Sequence, residues 1–422
     1  MNKKTRIILS VLLLASILAA CSSSEATSTA EETAISETAV ATQSEMGAPP
    51  DGEMGAPPDG EMGGPPGGGS MTADTGTGAY NLVDGEELSG GTYTSTNADE
   101  NAIRAEGEIA ASLEDVTVEK TDGAASSSDA SSFYGLNAAI LALDNATLTI
   151  SGGTVTATAE GANGVFAYDG ATINISDTVI NVSGGNAGGV EVAGGGNMVA
   201  TNLTVNATVK AAIRSDRGGG TMIVDGGNYT TSGSSGAPAI YSTADITVSN
   251  ATLVANDSEA VVVEGFNSVT LNDCDVTGSM GGAYGEAGSE NVHNVMLYQS
   301  MSGDADVGTS SFTMTGGTLV SMNGDMFYVT NTTSIISLND VELTLADGTY
   351  RLLVAGNDGQ RGWGTAGSNG GNATFNVSEQ VISGDILVDS ISTLDMTIAD
   401  SSSFTGSINA DSPRGIVPFR HD

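Results

Sequence analysis

Between residues 110 and 400 one short pattern returns eleven times, and this recurrence constrains the fold more than any other feature of the chain. The segments begin at 110, 147, 172, 197, 221, 245, 268, 311, 335, 374 and 395, most of them 21 to 25 residues apart. The second position is apolar in every segment, from Ala111, Leu148 and Ile173 to Phe375 and Met396. So is the fourth, from Leu113, Ile150 and Ile175 to Val377 and Ile398. Mostly Thr, Ser and Asn stand between them, which is the period-two alternation of a strand with one buried face. Only 39% of the residues are apolar, so two unbroken columns do not arise by chance.

The sixth position is Gly, Asn or Asp in ten of the eleven segments, with Glu379 as the exception. These residues tolerate a left-handed backbone, so each segment is expected to bend there. A second strand follows, with inward Val118, Val155, Ile180, Val205, Tyr229, Leu253, Val276, Leu319 and Leu343. A third is carried by pairs such as Ala102 and Ile103, Ala139 and Ile140, Ala212 and Ile213, and Ala260 and Val261. Three strands and three turns in about 24 residues make one coil of a parallel β-helix. The predicted fold class is all-β: a right-handed parallel β-helix (β-solenoid) of about 11 to 12 coils over residues 80–411, preceded by a disordered tether. No amphipathic helix of ten residues or more is expected in the mature chain.

Residues 1–20 have the pattern of a lipoprotein signal peptide. Lys3, Lys4 and Arg6 precede an apolar stretch from Ile7 to Leu18 that is too short for a good membrane span. Leu18, Ala19, Ala20 and Cys21 resemble the lipobox of bacterial lipoproteins, which implies acylation of Cys21 and attachment to a membrane. Residues 21–79 are rich in Ser, Thr and Glu and then in Gly, Met and Pro. They include an eight-residue repeat beginning at Glu45, Glu53 and Glu61. Such a segment cannot build a core, and about 50 residues of coil reach roughly 40 Å. Met46, Met54 and Met62 are read as spacer residues rather than a thioether copper site.

The charge balance excludes other classes. Twelve basic against 51 acidic residues give −39, and removing the three signal-peptide cations gives 9 − 51 = −42. Such a chain repels phosphates, so nucleic acid is excluded as a partner. Two Cys and two His exclude a disulfide scaffold and a structural zinc site, and no cofactor is expected. The acidity would suit calcium, but no spacing of carboxylates indicates a calcium site.

The three-strand coil resembles the pectin-lyase-like superfamily of right-handed parallel β-helices. Lipobox, Gly/Met/Pro tether and Thr/Asn/Gly-rich coils together resemble adhesin-like surface lipoproteins of Gram-positive bacteria. The resemblance implies a lipid-anchored protein on the extracellular face of the cell membrane, with cell-wall glycans, host glycans or surface proteins as partners. Fold alone does not assign activity. Lyases of the superfamily pair a basic proton abstractor with calcium-binding carboxylates, and its hydrolases cluster Asp with His, Arg and Lys. Neither pattern is found: residues 71–410 hold seven basic residues and one histidine, His293. No catalytic residue is assigned. The expected function is a non-enzymatic, adhesin-like or glycan-binding β-helix lipoprotein; the alternative is a lyase or hydrolase acting on polysaccharide.

Candidate ligand contacts lie on the outward column of the third strand: Arg104, Leu141, Phe166, Glu191, Arg214, Tyr241, Val262 and Tyr328. Rings and guanidinium forks on a flat ladder suit sugars and carboxylates. The competing reading is a structural ladder, with Glu191 and Arg214 merely ion-paired at the surface. Arg217, a further candidate ligand contact, precedes a turn at Gly218–Gly220 that is read as a tight corner rather than a phosphate cradle. Insertions at Asp122–Gly135 and Gly278–Asn294 both interrupt the passage from second to third strand. A third, Gly356–Asn372, leaves another corner and carries Arg361 and Trp363, read either as a glycan contact or as a ring folded back over its own loop. The pattern stops after residue 411, and residues 412–422, with Pro413 and Pro418, are read as an aberrant, disordered tail from truncation or frameshift.

Overall fold

The computed structural model describes residues 73–282, 291–356, 363–399, 401–409 and 419–421. The signal peptide, Cys21, nearly all of the tether, and Arg361 lie outside the described residues.

The chain winds as a parallel β-helix. Its third strands form one 12-stranded sheet, in which each strand pairs in parallel with the equivalent strand of the next coil. The first and second strands form the other two faces. These merge into a single sheet where Gly196–Ala207 and Gly220–Ser234 run unbroken across the corner. Register follows the sequence columns: Leu148 lies opposite Ile173, Ile173 opposite Met198, and Met198 opposite Met222. Thr147–Ser151 alternates exposed and buried residues, as a half-buried strand must.

Inward residues of all three faces build one continuous core of aliphatic side chains. It carries a stack of rings toward the C-terminal coils, with Phe312, Phe327 and Phe375 at successive centroid distances of 5.8 Å. Each coil buries its apolar residues only against its neighbours, so stability is shared along the stack.

The bend between first and second strands falls at the sixth column. All ten of its described members have positive φ, from Asp115 at 49° to Gly226 at 70°, including Glu379 at 51°. Stacking is tight beside it: a Cβ on Gly153 would lie 2.2 Å from the carbonyl oxygen of Val116 in the coil before. Amides bridge these corners, as where Asn202 Nδ2 donates to Asp177 Oδ1 at 2.7 Å.

The insertion at Asp122–Gly135 contains one short helix, Ser128–Tyr134, capped by the Ser127 side chain and ended by left-handed Gly135. The chain also contributes a third-face strand, His293–Tyr298, and a long corner loop after it. Within the C-terminal segment, Phe419–His421 forms a short strand parallel to Met396–Ile398.

Candidate functional site: the outer side of the third face

The outward ladder exists in the expected register. Arg104 lies opposite Leu141, Leu141 opposite Phe166, Phe166 opposite Glu191, Glu191 opposite Arg214, Arg214 opposite Tyr241, and Tyr241 opposite Val262. Met296 continues it to Tyr328. These side chains point away from the core, yet the ladder is not an open platform. Phe166 and Glu191 are 0% exposed, Arg104 and Arg214 5%, Trp363 8%, and Tyr241 is half-buried. The physical reason is that insertions from both edges fold back over the face.

Three stretches of the ladder are covered differently. At the N-terminal end the helix Ser128–Tyr134 lies over an apolar patch of Ala138, Leu141, Leu143, Phe166 and Ala193, and Tyr134 meets Tyr168 edge-on at 5.5 Å. At the C-terminal end Trp363 packs on Tyr298 with ring centroids 4.7 Å apart, joining Val262, Met296, Tyr328 and Val354. The ring therefore packs onto the third face of the solenoid rather than over its own loop. Burial of apolar area on both patches adds roughly 25 cal/mol per Å² removed from water.

Between the patches the ladder is charged. Arg214 Nη2 is ion-paired with Asp216 and lies 3.4 Å from Ser132 Oγ of the helix, while its Nε is 3.5 Å from Glu191 Oε1. Both Glu191 oxygens and Arg214 Nη1 are buried without a hydrogen-bond partner. Burial pushes the Glu191 carboxyl up to about 8, only partly offset by Arg214. Burial also raises Asp216, against the pull of Arg214. For Arg214 itself, burial opposes the charge, but Glu191 and Asp216 outweigh it and the guanidinium stays protonated. One guanidinium thus faces two carboxyls at low dielectric. Asp216 takes the close contact, and Glu191 holds its proton at neutral pH.

The next carboxyl along, Glu264, is 1% exposed and well supplied with donors. Tyr298 donates its hydroxyl at 2.9 Å, Tyr241 donates to the same oxygen, and Ser300 donates through both its hydroxyl and its N–H. Those bonds fasten the corner loop 299–308 to the ladder. Arg217 closes the remaining gap. Its guanidinium sits 4.0 Å above the Phe133 ring of the helix and 2.6 Å from Asp304 of the loop, bridging the two insertions. Gly218, Gly219 and Gly220, all at positive φ, make the tight corner beside it.

Arg104 stands apart. It donates to the Thr75 carbonyl and hydroxyl, each at 2.8 Å, and pairs with Glu106, so its fork is spent on the segment entering the first coil. The sequence reading missed the loop 299–308 and the ladder residues Asp216 and Glu264. The 43-residue spacing between the segments at 268 and 311 signalled extra residues, which the structure divides between the passage into His293–Tyr298 and the loop after it.

The surface left open around the site is a crest beside this loop. Phe266 is 67% exposed, Met301 60% and Val307 74%, and the Phe266 N–H donates to the Asp306 carbonyl at 2.7 Å. Elsewhere a shallow hollow of about 330 Å³ lies on the first face, lined by Thr313, Ser337, Asn376 and Thr397 together with Met314, Leu338 and Val377. Among the described residues no group of three or more His, Cys, Asp or Glu is placed to hold a metal ion. Comparison of the chain with family models, with curated proteins and with solved structures returned no match.

Proposed function

We propose that this protein is a surface-anchored, non-enzymatic, adhesin-like or glycan-binding β-helix lipoprotein. It is held through acylated Cys21 on the extracellular face of the membrane and presents its insertions to cell-wall glycans, host glycans or surface proteins. The observation that carries this reading is the sealing of the ladder. The carboxyls and the guanidinium best suited to acid–base work, Glu191, Asp216, Glu264 and Arg214, are buried; Arg214 contacts Ser132 of the helix and Glu264 accepts from Ser300 of the loop. A general acid or base must come within hydrogen-bond reach of its substrate.

What remains accessible is the rim: Arg217, with its side chain 45% exposed, and the crest of Phe266, Met301 and Val307. An aromatic face next to a guanidinium suits the apolar side and the hydroxyls of a sugar ring. The test applies the full-length protein to a glycan array, with wild type beside Phe266→Ala, while pectate and alginate are assayed for reducing and unsaturated ends. Binding that drops at least tenfold in Phe266→Ala, with no end groups released, supports the proposal. Steady release of end groups overturns it in favour of a polysaccharide-acting enzyme.

A further inference from the structure

Every coil turns from the third face into the first at one corner, and along part of that corner glycine stands where a side chain could. Tyr168 ends the strand Val165–Tyr168 just before the bend. In the next coil the bend is Gly194 and Gly195, and in the coil after that Gly218 and Gly219, all four at positive φ. The bends are laced together, with the Gly195 N–H shared between the Gly218 and Gly219 carbonyls at 3.1 and 3.0 Å. Two of the glycines are also needed for stacking: a Cβ on Gly194 would lie 2.6 Å from Tyr168 Cε2, and one on Gly218 2.9 Å from the Gly194 Cα. Gly195 is different, because it is exposed and a Cβ there would meet nothing within 4 Å. The corner is a bare peptide floor that a ligand can approach closely.

Rings and one guanidinium border this floor. Tyr168 is half-buried, with its ring against Gly194 and edge-on to Tyr134 at 5.5 Å. Arg217 precedes Gly218 at the bend, and its side chain is 45% exposed. Phe266, also largely exposed, follows Gly265 at the same corner. The third-face strands run in the order Val165–Tyr168, Val190–Ala193, Ile213–Ser215, Ile240–Ser242, Val261–Glu264. Tyr168 and Phe266 are therefore four coils apart, about 19 Å along the solenoid axis, with Arg217 midway. The other charged residues exposed along this stretch, Asp169, Asp245 and Asp306, are acidic, and Arg217 is already paired with Asp304. An anionic ligand would be repelled by these groups and by a chain with 51 acidic against 12 basic residues.

We propose that this corner is an extended track for a linear, non-anionic glycan several residues long, stacked on Tyr168 at one end and on Phe266 at the other. The proposal rests on the glycan-binding reading above and adds to it a second aromatic contact, a direction and a ligand charge. The rings meet the C–H faces of the sugars, and the exposed peptide groups and Arg217 meet their hydroxyls. A chain long enough to reach both rings gains from tethering as well as from contact, so affinity depends on ligand length.

The experiment titrates the full-length protein calorimetrically with 1,4-linked oligomers, dimer to hexamer, of N-acetylglucosamine, of glucosamine and of galacturonate. Affinity should climb with length in the first two series and stay negligible in the third. Tyr168→Ala and Phe266→Ala should each weaken hexamer binding about tenfold, whereas the dimer should be sensitive to at most one of them. Tyr168 also packs on its neighbours, so Gly195→Asn provides a variant independent of that packing. Asparagine tolerates positive φ and its Cβ touches nothing there, so it should obstruct the hexamer and leave the thermal midpoint unchanged. Hexamer binding that falls in Phe266→Ala but equals wild type in both Tyr168→Ala and Gly195→Asn overturns the track and leaves the glycan reading standing. Galacturonate bound as tightly as the other series overturns the proposal on charge. Absence of binding by every oligomer overturns it too, and the glycan array then decides the reading on which it rests.

Discussion

Replacing Glu191 by Gln tests the charged middle of the ladder. Glu191 is fully buried beside Arg214, which in turn pairs with Asp216 and contacts the helix residue Ser132, and burial lowers the neighbouring Lys210 amine to about 7. Its carboxyl titrates at about 8 instead of the ordinary 4.5. The folded protein therefore keeps a proton that the unfolded chain releases, and stability falls as pH rises from about 4.5 to about 8. Each pH unit inside that window is worth about 1.4 kcal/mol, which caps the effect at about 5 kcal/mol. Asp216 shares the same guanidinium, so the two carboxyls titrate as a coupled pair and the effect lies below that cap. Gln keeps the shape of the protonated acid and cannot ionise. Urea unfolding, followed by the fluorescence of Trp363, the only tryptophan, should give near-equal midpoints for wild type and Glu191→Gln at pH 5. By pH 8 to 9 the variant should be the more stable by a few kcal/mol. A gap that stays constant across this range would refute the argument, because Glu191 would then be ionised in the fold and paired with Arg214.

Other expectations concern the core, the bridge and the anchor. Ile150→Asp or Val248→Asp places an unpaired charge on a buried column and should cost more than 3 kcal/mol, whereas exposed Thr149→Asp should stay within about 0.5 kcal/mol; thermal melts compare them. Arg217→Ala removes the contact to Phe133 and the pair with Asp304, so amide exchange should quicken in residues 128–134 and 299–308 while the midpoint drops by only about 1 kcal/mol. Unchanged exchange there would mean that the two insertions hold without it. Cys21→Ala should move the protein from the membrane fraction to the medium, and continued membrane retention would remove the lipoprotein proposal.

The solenoid was legible in the sequence because a strand writes its buried face every second residue and a coil repeats that writing about every 24. Ile150, Val248 and Tyr229 could be placed inside, and the sixth-column bends located, before any coordinates, since each depends only on local backbone geometry and on neighbours one coil away. The outward direction of Phe166, Glu191, Arg214 and Tyr241 was legible for the same reason. Their burial was not. Whether an outward ladder meets solvent depends on where insertions fold, and insertions carry no period. Ser128–Tyr134 reaches Arg214 across 82 residues and Asp304 reaches Arg217 across 87, contacts that no repeat encodes. Tertiary structure therefore decided that Arg214 holds Asp216 under a helix, that Glu264 moors a loop, and that Trp363 closes the far end. Periodic burial sets a β-helix from its sequence alone, while the covering of its faces is set by long-range packing of the segments that break the period.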